Sequence, residues 1–206
     1  MLHALGNSLK VGLATALLST MLGLAAARAL TRYRLKAAGA ALGFISLPLF
    51  IPDIVLGLSL MMLLGAMGLS LSLAAVVLGH LLICVPFALT VLIARLESFD
   101  RNLEEASADL GEDPWMTFWR VSFPLVLPGI LGAALLGFSL SFDDFIISFF
   151  NAGTLVTFPI FIWGAAQRGI PVQVNALATI VFLVALAIVL IGQFVNHRRR
   201  KALEAR

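Results

Sequence analysis

Long apolar runs separated by short polar stretches set the pattern of this chain. Four runs, at about 7–27, 73–94, 128–150 and 174–195, each reach the roughly 18 residues that a membrane-spanning helix needs. In hydrocarbon every backbone amide must be satisfied within its own segment, so continuous runs of this length predict helices. The residues from 37 to 67 form a fifth apolar stretch, interrupted by LPLFIPDIVLG. There Pro48 and Pro52 each remove a helical hydrogen bond, and Asp53 places an acid at membrane depth. Such a stretch can cross once as a broken helix, cross twice, or dip in and return.

Charge along the chain selects among these. Arg28, Arg32, Arg34 and Lys36 crowd one loop, and His197, Arg198, Arg199, Arg200 and Lys201 crowd the tail. Both clusters are expected to face the cytoplasm by the positive-inside rule, so the chain crosses an even number of times between them. Three clear runs lie in that interval, and 37–67 therefore most simply crosses once, kinked near Pro52. The expected topology has five spans, with the N-terminus outside, the C-terminus inside and residues 95–127 in the cytoplasm.

Composition agrees with this pattern. The 206 residues are 61% hydrophobic and 12% charged, and their mean hydropathy is +1.04. Soluble domains are about 45–50% apolar and about 25% charged. A transmembrane β-barrel is excluded because it needs alternation over segments of about ten residues. One membrane domain, 1–206, is expected: no stretch is long or polar enough for a second, soluble one. No removable signal peptide is expected at the start, and the single Cys84 has no intrachain partner for a disulfide.

Against this apolar background, seven of the eleven carboxylates fall between Glu97 and Asp113. A short helix is predicted over 102–111, with Asn102 as N-cap, Glu105 completing a capping box and Gly111 as the left-handed stop. One face carries Leu103, Ala106, Ser107 and Leu110, small in the middle, so a partner backbone has room to approach. A second helix is predicted from Asp113 as N-cap and Pro114 at N1 to about Ser122, ahead of Pro124 and Pro128. Its Trp115, Phe118 and Trp119 suit the membrane–water interface. An acidic, solvated loop is the simpler reading of the same residues.

Glu105-Ala106-Ser107, three residues, Gly111, nine residues and Val121-Ser122-Phe123-Pro124 resemble the EAA loop of ABC-importer permeases, E-A-A-x3-G-x9-I-x-L-P. Ser107, Val121 and Phe123 depart from the pattern conservatively. Pro52-Asp53-Ile54-Val55, the set His80, Cys84, Pro86 and Phe87, LSFDDFIISFF at 140–150 and VNALATI at 174–180 narrow the resemblance to permeases of spermidine/putrescine-type importers. It extends from about residue 5 through nearly the whole chain.

The resemblance implies an all-α integral membrane fold, the type I importer permease core with a cytoplasmic coupling helix. Members usually have six spans, so this chain is expected to lack the first. It also implies that Glu105, Ala106, Ser107, Leu110 and Gly111 dock into a cytosolic ATPase, with Glu104, Asp109, Glu112 and Asp113 as rim charges that affect association rate and orientation more than affinity. The implied partners are a second permease, two ATPase subunits, an external solute-binding protein and the bilayer of a bacterial inner membrane. ATP and magnesium would sit on the partner, since this chain has no G-x4-G-K-[ST] loop. No cofactor, metal or nucleic acid is expected on this chain, and no catalytic residue.

Asp53, Asp143, Asp144 and Asn175 are the candidates for the solute path. An ionisable residue within a span costs on the order of 2.5–3.5 kcal/mol on insertion scales, so a functional reading is the default. The bland alternatives are that Asp53 caps the helix restarted after Pro52, and that Asp143 or Asp144 caps or bonds to a neighbouring span. Because adjacent helical residues point about 100° apart, the two are not expected to face one pore together. His80, alone in its helix, reads as an interhelical hydrogen-bonder. Gly129, Ala133 and Gly137 read as a close-packing stripe. Asn175 and Thr179 suit packing or pore lining equally, and the apolar run 158–166 suits a re-entrant or interfacial helix. The basic tail reads as a topology anchor beside anionic lipid. An ion-coupled secondary transporter using these acids is the rival function; no HExxH or Ser/Lys pair supports an intramembrane enzyme.

Overall fold

The first helix explains how so small a chain packs. In α1, Leu2–Arg32, the buried positions are Ala4, Ser8, Val11, Gly12, Thr15, Ala16, Ser19, Thr20, Gly23 and Ala27, a stripe of mostly small residues. Leu13, Leu17 and Met21 face outward. Without a hydrophobic force between helices in lipid, such stripes let backbones approach closely. A Cβ on Gly23 would lie 2.9 Å from Ala88 Cβ and 3.1 Å from its carbonyl carbon.

The computed structural model describes residues 1–33 and 36–168, and beyond them 175, 176, 179, 180 and 183. Every regular element among the described residues is helical. After α1 come α2 (Ala38–Ser46), a 3₁₀ turn (Leu47–Phe50), α3 (Asp53–Ala66) and α4 (Leu73–Glu97). Then follow α5 (Asn102–Asp109), α6 (Pro114–Thr117), a π turn (Phe118–Ser122), α7 (Phe123–Asp143), α8 (Ile146–Asn151) and α9 (Phe158–Arg168). Residues 1–161 form one compact unit and 162–206 a second.

In the first unit α1, α4 and α7 pack on one another, around Ala27, Ala88, Leu89, Leu92, Leu96, Val126 and Ala133. The Gly129–Ala133–Gly137 stripe lies inside these contacts. A Cβ at Gly129 would meet Arg95 Cγ at 2.6 Å, Ala133 is fully buried, and a Cβ at Gly137 would meet Ser19 Oγ at 2.9 Å. The short α8 packs between α3 and α4. Asn151 secures it, donating from Nδ2 to Gly57 O and Ile147 O, both at 3.0 Å.

Helices α1 and α4 and the continuous helical segment Pro114–Asp143 are long and apolar enough to cross a membrane. The stretch 37–67 is bent far more sharply than a kinked span: its two arms meet at 101°. Pro52 forces Ile51 into extended backbone (φ −98°, ψ 131°), which ends the first arm before the second begins. Each arm rises only about 20 Å at 1.5 Å per residue, so it forms a broken span or a re-entrant pair.

Two boundaries differ from expectation. The helix expected to run from Asp113 to about Ser122 does not stop there but continues through Pro124 and Pro128. The π turn makes this possible: Phe123 N–H bonds back to Phe118 O, and the widened turn leaves no unmet demand for the amide that Pro124 lacks. The span expected over 128–150 therefore begins earlier and ends at Asp143, where Asp144 is extended (φ −62°, ψ 123°). The expected span 174–195 lies largely outside the described residues, as do the basic tail and Arg34.

Candidate functional site

A cavity of about 630 Å³ opens where the broken elements meet. It is lined by Pro48 and Leu49 of the 3₁₀ turn, Asp53 at the start of α3, His80, Ile83, Cys84 and Phe87 of α4, Leu140 and Asp143 of α7, and the connection Asp144–Ile147. Its walls are apolar apart from the three acids, His80 and Cys84. Asp53 is the first residue of α3, where helix-dipole attraction favours an anion. Its side chain and that of Asp143 are exposed, with no hydrogen bond or ion pair among the described residues.

Asp143 and Asp144 both line this cavity, contrary to the expectation from helical geometry. That expectation assumed an unbroken helix; the chain leaves helical conformation between them, so the 100° offset does not apply. Asp144 is the more enclosed, its side chain 14% exposed. Its Oδ1 accepts from the backbone N–H of Ser148 at 3.0 Å, meeting an amide of the first turn of α8 that no helical carbonyl reaches.

His80, only 2% exposed, joins both sides of the break. Nε2 donates to Asp144 Oδ1 at 3.0 Å, and Nδ1 lies 2.6 Å from Ser141 Oγ on α7. Ser148 Oγ on α8 is 3.3 Å from Nε2. The interhelical role read for His80 is thus a three-cornered one. Asn175 belongs to the second unit; there its carbonyl accepts from Thr179 Oγ1 at 2.9 Å, and its side chain is exposed.

The acidic stretch between α4 and α6 folds back on the chain. Arg101, rather than Asn102, is the N-cap of α5 and makes no side-chain cap bond; Asp100 before it accepts from Asn102 N at 3.0 Å and Asn102 Nδ2 at 3.2 Å. Asn102 is already helical, so its side chain is placed one residue late to cap. Gly111 (φ +89°) ends the helix as read, with Glu112 N bonding to Ser107 O and Gly111 N to Ala108 O. Asp113 caps α6, accepting from Met116 N at 2.7 Å, with Pro114 following.

Leu103, Glu105, Ala106 and Leu110 are exposed, Leu110 at 86%. Ser107, expected on the same docking face, is instead buried and shares a 3.1 Å hydrogen bond with Thr117 Oγ1, because its position on α5 turns it toward α6. Three of the expected rim charges are internally engaged, Asp113 through the α6 cap just described. Glu112 pairs with Arg120. Glu104 Oε2 lies 2.6 Å from Arg32 Nε, while its Oε1 accepts from Ser122 Oγ. Phe118 is buried rather than interfacial, with the Arg28 guanidinium 4.2 Å above its ring. Trp115 and Trp119 are exposed.

Ser141, Ser148 and the Arg32–Glu104 pair escaped the sequence reading. A serine in an apolar run looks like packing, although Ser141 and Ser148 flank the acids within one turn on either side. Arg32 read only as a topology signal.

Comparison with known proteins places the chain in one family. Residues 19–202 match the model of the binding-protein-dependent transport system inner membrane component family. The chain is 32% identical over 199 residues to the spermidine/putrescine transport system permease protein PotC of Haemophilus influenzae, covering 96% of this chain and 77% of that protein. Against PotC of Escherichia coli K12 it is 31% identical over 202 residues, covering 98% and 76%. The putrescine transport system permease protein PotI of the same organism is 34% identical over 189 residues, covering 88% and 67%. The chain belongs to the binding-protein-dependent transport system inner membrane component family, integral membrane permeases with the type I ABC-importer fold.

Proposed function

We propose that this chain forms part of the translocation path of an ATP-driven polyamine importer in a bacterial inner membrane, with its C-terminus in the cytoplasm and ATP hydrolysed on a partner chain. The observation that carries the solute class is the convergence of Asp53, Asp143 and Asp144 on one apolar cavity. Carboxylates without cationic partners at membrane depth are costly, and a solute bearing several ammonium groups offsets that cost while bound. The names of the related permeases support the same solute class.

The exposed face of α5, Leu103, Ala106 and Leu110 with Glu105 beside it, favours a docked ATPase over an ion-driven carrier working alone. In this reading a second permease completes the pore and an external binding protein delivers solute. Closure of the ATPase dimer moves α5 and, through α6, the helix that ends at the cavity. Asp53→Asn and Asp143→Asn, tested by uptake of radiolabelled spermidine in cells carrying the assembled importer, are each expected to raise the half-saturation concentration about tenfold, the effect of losing a bond to a charged group. Unchanged half-saturation in both would remove the cavity from the solute path.

A further inference from the structure

The polar cluster behind the cavity is larger than the solute reading requires. Asp144 Oδ1 is held twice, by His80 Nε2 and by Ser148 N–H, whereas its Oδ2 has no hydrogen bond among the described residues. The imidazole is itself held at its other nitrogen by Ser141, on the far side of the break. Around it Gly79 leaves no room: a Cβ there would lie 2.4 Å from Ile147 Cγ2, so α4 and α8 are in close contact beside the ring. A ring fixed at both nitrogens and only 2% exposed has little freedom to turn. The carboxylate it holds inherits that fixity, with one oxygen committed to the protein and the other left for the cavity.

We propose that His80 is a positioning residue for solute recognition: by holding Oδ1 of Asp144 across the α7–α8 break, it sets the carboxylate in the cavity wall. This rests on the cavity being the solute site. His80 contacts the solute through Asp144 and not directly, so its effect is a property of the bond from Nε2 and not of the ring's bulk.

The two ring nitrogens can be separated chemically. The amide nitrogen of His80→Gln reaches the place of Nε2 and can donate to Asp144, whereas that of His80→Asn reaches only the place of Nδ1. For spermidine uptake by the assembled importer, His80→Gln is expected to keep half-saturation within about threefold of native. His80→Asn is expected to raise it about tenfold with the maximal rate per assembled complex retained, as for the loss of a bond to a charged acceptor. Because the histidine acts through Asp144, adding His80→Asn to Asp144→Asn is expected to raise half-saturation no further.

A purely structural role predicts the opposite split: less assembled complex or a lower maximal rate, half-saturation unchanged, and Gln no better than Asn. Either that result or additive effects in the double variant would overturn the proposal. If the His80 variants do not assemble, Ser141→Ala loosens the ring from its other side and is expected to raise half-saturation about threefold; native half-saturation there would count against the proposal. Asp53→Asn and Asp143→Asn separate the two levels. If they alter half-saturation while the His80 series does not, only the positioning role fails; if neither of them alters it, the cavity reading fails.

Discussion

Arg32 and Glu104 meet where the ends of α1, α4 and α5 converge. Arg32 Nε lies 2.6 Å from Glu104 Oε2, and its Nη2 donates to Leu96 O at 3.0 Å. Arg101 Nη2 returns the connection, donating to Thr31 O at 2.6 Å. With Arg32 and Glu104 only 12% and 20% exposed, the pair is screened far less than a surface ion pair. Glu104→Gln removes the charge and leaves the guanidinium short of its counter-ion, at a cost of about 1–3 kcal/mol. Thermal unfolding of the purified protein is expected to shift down by several degrees, against a change within about 0.5 kcal/mol for the exposed Asp109→Asn. Equal midpoints for the two would show that the pair is ornamental. None of this was legible in the sequence, because 72 residues separate the partners and each charge had a sufficient local explanation. Asp113, Pro114 and Gly111, by contrast, were legible because capping and the left-handed stop are decided within one turn of chain.

The helices divide in the same way. Apolar runs located α1 and α4, although α1 extends beyond the expected 7–27 at both ends. The end of α7 was missed because hydrophobicity continues through FIISFF while the backbone does not; only a tertiary partner, His80, reveals why the chain breaks there. Pro48 and Pro52 located the bend between α2 and α3 but carried no information on its 101° angle, which depends on what α3 packs against. Where helices touch, small residues decide the contact. Gly23→Leu places a side chain against the Ala88 backbone, 3.0–3.1 Å from the Leu89 nitrogen and Ala88 carbonyl carbon, and neither atom can move aside. Overpacking of this kind costs about 1–3 kcal/mol. Gly6→Leu, whose Cβ meets nothing within 4 Å, serves as the comparison. The expected outcome is a lowered unfolding midpoint for Gly23→Leu alone; similar midpoints would mean that α1 and α4 are not closely packed there.

For the whole molecule, the two features that the acids mark lie at opposite ends of one continuous helical segment, Pro114–Asp143. At one end α6 is tied to α5 through Ser107 and Thr117; at the other, the segment stops at the acids of the cavity. A permease driven by ATP needs this kind of rigid connection between the place where force is applied and the place where solute is held. The central claim, that α5 receives that force from a separate ATPase, is tested most directly by co-purification. The native chain is compared with Glu105→Lys, which reverses an exposed charge on α5. The second comparison is Gly111→Asp, which puts a side chain at φ +89°, where an L-residue is strained by about 1–2 kcal/mol. The native chain is expected to retain the ATPase and both variants to release it, with ATP-dependent uptake lost in parallel. A native chain that purifies without an ATPase, or transport that survives both substitutions, would contradict the account.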